Sequence, residues 1–190
     1  PNQGIDALDS DVDNSNGPRT TATVSLGAGE ENLTIDAGVY MPAKVGNFVW
    51  LDNPNNLDGI DIQDDSDTGL NNVVVNLYTV EDQVNPFATQ TTRNDENGKA
   101  GFYLFDNLPV GAYVVEFVNP NIVEWDFVVA NVGNDMIDSD VVDNFTGRTL
   151  AFEVFPGDCI EDIDAGLFYK LAKIGDYVWL DNSSSAIEGL

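Results

Sequence analysis

The 190-residue chain has no histidine, one cysteine, and 7 Lys and Arg against 33 Asp and Glu. Each shortage removes a class of function. Without histidine there is no Ser-His or Cys-His dyad and no zinc site of the usual kind. With Cys159 alone there is no internal disulfide. A formal net charge of −26 makes nucleic acid and anionic membrane poor partners. No stretch of about 18 apolar residues is present to insert in a bilayer. Paired carboxylates of the glycosidase kind are the catalytic groups left. They fall in similar, solvated loops repeated along the chain rather than in one cleft with two environments. The chain is expected not to be an enzyme.

What the chain does have is repetition. The phrase Lys44-Val45-Gly46-Asn47-Phe48-Val49-Trp50-Leu51-Asp52-Asn53 returns 129 residues later as Lys173-Ile174-Gly175-Asp176-Tyr177-Val178-Trp179-Leu180-Asp181-Asn182. Gly4-Ile5-Asp6-Ala7-Leu8-Asp9-Ser10-Asp11-Val12 reappears as Gly133-Asn134-Asp135-Met136-Ile137-Asp138-Ser139-Asp140-Val141, and Ile35-Asp36-Ala37-Gly38-Val39-Tyr40 as Ile163-Asp164-Ala165-Gly166-Leu167-Phe168. The order is tail, whole unit, head: residues 1–43 finish one repeat, 44–172 form a complete one, and 173–190 begin a third. Repetition at domain scale argues for a module strung in series, such as a stalk or filament. Only Lys170-Leu171-Ala172-Lys173 separates one unit from the next, too short for a floppy tether.

At 43% hydrophobic content the whole unit can bury a proper core. Its apolar residues alternate or form short β-branched runs: 48–51, 73–78, 101–105, 113–118, 127–130 and 150–155. Turn signals such as Asn94-Asp95-Glu96-Asn97-Gly98 and Pro156-Gly157 separate them, and no window holds a 3.6-residue apolar stripe. Six or seven short strands at this spacing predict an all-β sandwich, with a closing strand at 163–168.

Aspartate outnumbers glutamate more than twofold, which favours loops over helices. Residues 52–68 hold six aspartates. Calcium takes six to eight oxygens at roughly 2.3–2.6 Å, supplied by closely spaced Asp, Asn and carbonyl groups around a permissive glycine. Asn56-x-Asp58-Gly59-x5-Asp65 fits the later positions of such a loop, although Pro54 stands at the first ligand position and Asp65 at the last, where Glu is usual. Asp52, Asp64 and Asp67 complete this first candidate site. A second joins Asp135, Asp138 and Asp140 to Asp164, and a third is its mirror: Asp6, Asp9, Asp11 and Asp36. For the first, a solvated acidic turn without metal is the competing reading; for the two Asp-rich phrases it is an Asx-turn architecture.

Trp50 and Trp179 open their strands and read as core or interdomain packing, with a glycan-stacking platform as the other reading; Trp125 is open between the two. Cys159 aligns with Glu31 of the preceding copy, so its position does not demand sulfur. Lys44 and Lys173 raise the option of an internal isopeptide bond, a chemistry that needs a desolvated amine, whereas both lie at exposed junctions.

The whole unit resembles the B-type repeat of the serine-aspartate repeat family of bacterial cell-surface proteins, relatives of Cna-B and prealbumin-like sandwiches. The resemblance rests on Val45-Gly46-Asn47-Phe48-Val49-Trp50-Leu51-Asp52, the Asp58-Gly59-Ile60 loop with Gln63-Asp64, the run Gly69-Leu70-Asn71-Asn72-Val73-Val74-Val75-Asn76-Leu77-Tyr78, and Asp95-Glu96-Asn97-Gly98-Lys99 followed by Phe102-Tyr103-Leu104-Phe105-Asp106-Asn107-Leu108. It implies a seven-stranded, Ig-like or prealbumin-like sandwich in tandem, outside the cell on the bacterial surface. There it would bind several Ca2+ ions that stiffen it and project an adhesive domain or form a fibre. Neighbouring repeats of the same polypeptide are the implied partners, with copies in a filament, or a glycan or host protein recognised directly, as alternatives. Relative to the family, the 52–67 loop has about two extra residues on each side of Asp58-Gly59, and Asp67 stands where a Glu is usual.

Overall fold

The computed structural model describes residues 10–13, 16–39, 41–53, 55 and 62–170. Asp6, Asp9, Asn56 and Asp58, and the whole of 173–190, lie outside the described residues. Within them the ordered elements are β1 (Ala43–Leu51), β2 (Thr68–Gly69), β3 (Val74–Thr79), β4 (Ala88–Thr91), β5 (Phe102–Leu108), β6 (Gly111–Phe117), β7 (Trp125–Phe127), β8 (Phe152–Val154), β9 (Cys159–Ile160) and β10 (Ala165–Tyr169). They form two sheets. One runs β4-β3-β6-β8; the other runs β2-β1-β10-β7, with β5 and β9 also paired to β1. The expected all-β sandwich is present.

β1 is the hub of the larger sheet. Its first half pairs with β5 and, in parallel, with β9; its second half pairs with β2 and, in parallel, with β10. A register shift between Ala43 and Val45 interrupts the β1-β5 ladder near its start, and the change of partners comes later, between Phe48 and Val49. Val45, Val49, Val75, Leu77, Tyr103, Phe105, Val115, Phe117, Val154 and Leu167 fill the space between the sheets, and the buried cluster lies wholly within residues 43–167. Among the described residues, the core is supplied from within 43–167.

Alternation along β1 breaks at Val49 and Trp50, which are adjacent and both fully buried. Val49 belongs to the inter-sheet core. Trp50 lies on the opposite face, covered by the segment that follows β7. Its ring rests on Gly166, the residue it faces in the β1-β10 register, and a Cβ there would stand 2.6 Å from Trp50 Cζ2 and 2.7 Å from a Val128 methyl. Trp50 is thus packing, as expected.

The strand expected at 127–130 begins earlier, at Trp125, and stops at Phe127. Val128 then leaves the sheet, held by its N–H to the Gly166 carbonyl (3.0 Å). That departure carries residues 128–140 alongside β10 and positions the acidic loop.

Candidate metal site

The 128–140 segment is fastened to β10 by its own polar groups. Gly166 N–H donates to Ser139 Oγ (3.3 Å), Asp140 N–H to the Asp164 carbonyl (3.0 Å), and Asp164 N–H returns to Asp140 Oδ2 (2.7 Å). Asp164 is fully buried, and its Oδ1 accepts the Phe48 N–H of β1 (2.9 Å), while Asn47 Nδ2 donates to its Oδ2 (3.3 Å). Asp164 therefore ties three chain segments together, its carboxylate holding β1 and its backbone the 128–140 segment. Each oxygen still has a lone pair to spare.

This clasp occurs twice. In the preceding tail, Gly38 N–H donates to Ser10 Oγ (3.1 Å), Asp11 N–H to the Asp36 carbonyl (3.0 Å), and Asp36 N–H to Asp11 Oδ2 (2.8 Å). The adjoining turn recurs as well: Phe155 N–H to Asp158 Oδ2 (2.8 Å) is matched by Gly27 N–H to Glu30 Oε2 (2.9 Å), with Gly157 and Gly29 both at positive φ.

Above the clasp, carboxylate oxygens of Asp135, Asp138 and Asp140 lie within 4.8 Å of one another. Asp135 is exposed, Asp140 half-buried, and Asp138 only 3% exposed, with its Oδ1 buried and lacking a hydrogen-bond partner. Burial is the main reason the Asp140 carboxyl rises to about 7 and that of Asp164 to about 8, with Asp162 and the other aspartates adding to the repulsion. Burial likewise raises Asp138 and Asp162, each helped by Asp135.

Asp162 is the member that the sequence comparison missed. Its counterpart in the tail is Thr34, so comparing copies hid it; the Asp162-Ile163-Asp164 alternation was the available signal. Asp135, Asp140 and Asp162 line a groove of about 280 Å³ together with Leu150, Phe152 and Ile160.

Residues 62–67 come to the same place. Gln63 N–H donates to the Ile137 carbonyl (2.6 Å), so two candidate sites far apart in sequence abut. Asp52 is buried just past β1, its N–H on the Leu167 carbonyl (2.7 Å). Asp67 uses both oxygens to hold the loop, accepting Asn53 N–H (3.0 Å) and Asp64 N–H (2.9 Å). Burial first, and repulsion from Asp64 last, raise its carboxyl. Asp64 Oδ1 accepts Ser66 N–H (2.7 Å) in an Asx turn, and Asp65 is exposed.

The donor set suits a hard cation. It is all oxygen, it holds an orphaned buried carboxylate oxygen at Asp138, and several carboxylates raise one another's proton affinity. Asp135, Asp138 and Asp140 are the groups that would hold such an ion, with Asp162 beside them. An ion there would supply the positive charge that this corner lacks.

Lys44 is exposed. Cys159 is exposed, and its hydrogen bond to Glu161 pushes the thiol upward, away from the reactive thiolate. Trp125 is half-buried, edge-on to Tyr169 at 6.0 Å.

A β-sandwich that draws its core from one unit, carries acidic clasps on its loops and repeats them along the chain is a structural repeat of a surface protein. The chain belongs to the SdrD B-like domain family, whose model matches residues 43–167. It is 33% identical over 182 residues to serine-aspartate repeat-containing protein D of Staphylococcus aureus (strain Newman), covering 94% of this chain and 12% of that protein. It is also 31% identical over 189 residues to serine-aspartate repeat-containing protein F of Staphylococcus epidermidis (strain ATCC 12228 / FDA PCI 1200), covering 98% of this chain and 10% of the relative. The chain thus spans about an eighth or less of the length of these relatives. Among solved structures, the minor pilin GBS52 of Streptococcus agalactiae superposes with a TM-score of 0.41 at 10% identity, over 73% of this chain and 50% of the pilin. No helix among the described residues is long and apolar enough to cross a membrane.

Proposed function

We propose that the chain is a calcium-stabilised structural repeat, a length of stalk or filament in a long protein on the outer surface of a bacterium. Residues 1–43 close one repeat, 44–172 form a complete one, and 173–190 open a third. Neighbouring repeats are its partners. The duplicated clasp supports this division, because Ser10, Asp11, Asp36 and Gly38 make the same bonds as Ser139, Asp140, Asp164 and Gly166.

The observation that carries the metal is Asp138, whose buried oxygen has no donor in a cluster of three carboxylates. Desolvating a charge without a partner is costly, and a divalent ion removes both the desolvation penalty and the mutual repulsion. Binding there locks 133–140 onto β10 and β1, so the ion stabilises the fold by linkage.

The test is thermal unfolding in millimolar calcium and in chelator, with titration calorimetry alongside. The melting temperature is expected to rise with calcium and the ion to bind with measurable heat. An unmoved melting temperature with no heat at millimolar calcium removes the metal from the proposal and leaves the structural repeat.

A further inference from the structure

The strand directions put the two ends of the unit at opposite poles. β1 starts where β5 ends, Ala43 facing Leu108, beside the β5-β6 hairpin. β10 runs parallel to β1 and finishes at Tyr169, opposite Trp125, next to the turn that follows β6. Each pole carries apolar side chains held in solvent. At the leading pole Met41, Val110 and Phe155 are exposed, and the last two border a groove of about 210 Å³. At the trailing pole Ile122, Val123 and Phe145 are 66%, 82% and 92% exposed, and Ile122 and Phe145 border a groove of about 270 Å³.

The trailing turn is stiff. Asn119 Oδ1 accepts Asn121 N–H (2.9 Å), the Asn121 carbonyl accepts Trp125 N–H (2.8 Å), and Asn119 Nδ2 donates to the Trp125 carbonyl (3.1 Å). Lys170 is bolted to it, N–H to the Glu124 carbonyl and Nζ to the Ile122 carbonyl, both 2.7 Å. Two β-branched residues are thus displayed on a rigid support at the point where the chain leaves the unit. Apolar groups so presented mark an interaction surface.

Chain length selects the occupant. From Lys170 to Ile174, the counterpart of Val45, four residue steps reach at most about 14 Å. A following unit therefore starts within that distance of this turn. The leading pole shows how an arriving chain seats: Met41, two residues past the closing Val39 of the preceding repeat, accepts Gly157 N–H through its carbonyl (3.0 Å), and its side chain lies 3.3 Å from where a Cβ on Gly157 would stand.

We infer that successive sandwiches dock pole to pole, Ile122, Val123 and Phe145 of one unit covering the Val110 and Phe155 cap of the next. The inference rests on the tandem-repeat reading above and goes beyond it, because apolar contact between units then stiffens the array as well as metal within them. Net negative charge opposes close approach, so the contact has to be apolar to hold.

The test lengthens the full chain by duplicating residues 44–172 in frame, with a nitroxide at Glu96→Cys of each whole unit in a Cys159→Ser background. In calcium, pulsed electron resonance is expected to give one narrow inter-label distance distribution. Ile122→Asp with Val123→Asp in the first unit should broaden it roughly twofold toward that of a free linker, with both units still melting as before. Val110→Asp with Phe155→Asp in the second unit should do the same, and the combination should add little, because both pairs act on one contact. A broad distribution before substitution, or a narrow one after it, overturns the docking and leaves the repeat reading standing. Failure of the duplicated segment to fold as a second sandwich overturns both.

Discussion

Trp50 and Gly166 explain why two separate phrases recur together. The Val-Trp-Leu-Asp strand places an indole where the Asp-Ala-Gly strand has no side chain, and the Val128 methyl closes over both. Gly166→Ala would put a methyl 2.6 Å from the indole, and such overpacking is expected to cost about 1–3 kcal/mol in denaturant unfolding. At Asp138 the prediction has two signs. Asp138→Asn removes a buried charge whose Oδ1 has no donor, so in chelator the variant should melt above the parent, whereas its calcium-induced rise in melting temperature should shrink or vanish. Asp140 and Asp164 set a pH dependence. Burial raises them to about 7 and about 8, while the unfolded carboxyls titrate near 3.9. The native state therefore holds protons that the unfolded chain has released. That stability is fully present below the unfolded value and is lost as pH rises through the folded ones. In chelator the melting temperature is expected to fall between about pH 5 and pH 8.5, and calcium should flatten the slope by replacing those protons.

At the scale of elements, the 128–140 segment depends on polar bonds to β10 rather than on sheet pairing. Ser139 is fully buried, and its Oγ serves the Gly166 N–H. Ser139→Ala leaves that N–H without an acceptor and is expected to cost about 1–3 kcal/mol by chemical denaturation, with or without calcium. The strands visible in the sequence were those with a buried apolar face, such as β3, β5 and β6. Ala88-Thr89-Gln90-Thr91, a polar strand at the edge of the smaller sheet, had no such pattern, and β2 and β9 are two residues long and exist only through their pairing with β1. Asp162 was hidden for a related reason: its value to the site comes from what surrounds it in space, and the copy in the tail carries Thr34 there.

For the whole molecule, charge is the dominant background. With a net of −26, self-repulsion opposes the compact state, and a few divalent ions would leave it strongly acidic. In chelator, raising sodium chloride from about 0.05 M to 0.5 M shortens the Debye length to a few ångströms and should raise the melting temperature. Alternation, repetition and composition are local properties that survive in one dimension, so the all-β class, the recurring phrases and the acidic loops were legible from the order of residues alone. The fold in three dimensions was needed to show that Gln63 meets Ile137, that Asp138 Oδ1 is buried without a donor, and that exposed apolar side chains sit at opposite poles of the unit. Those depend on strand direction and on which carboxylates lose their water, and both are set when β1 takes partners on its two halves and brings distant segments to one place.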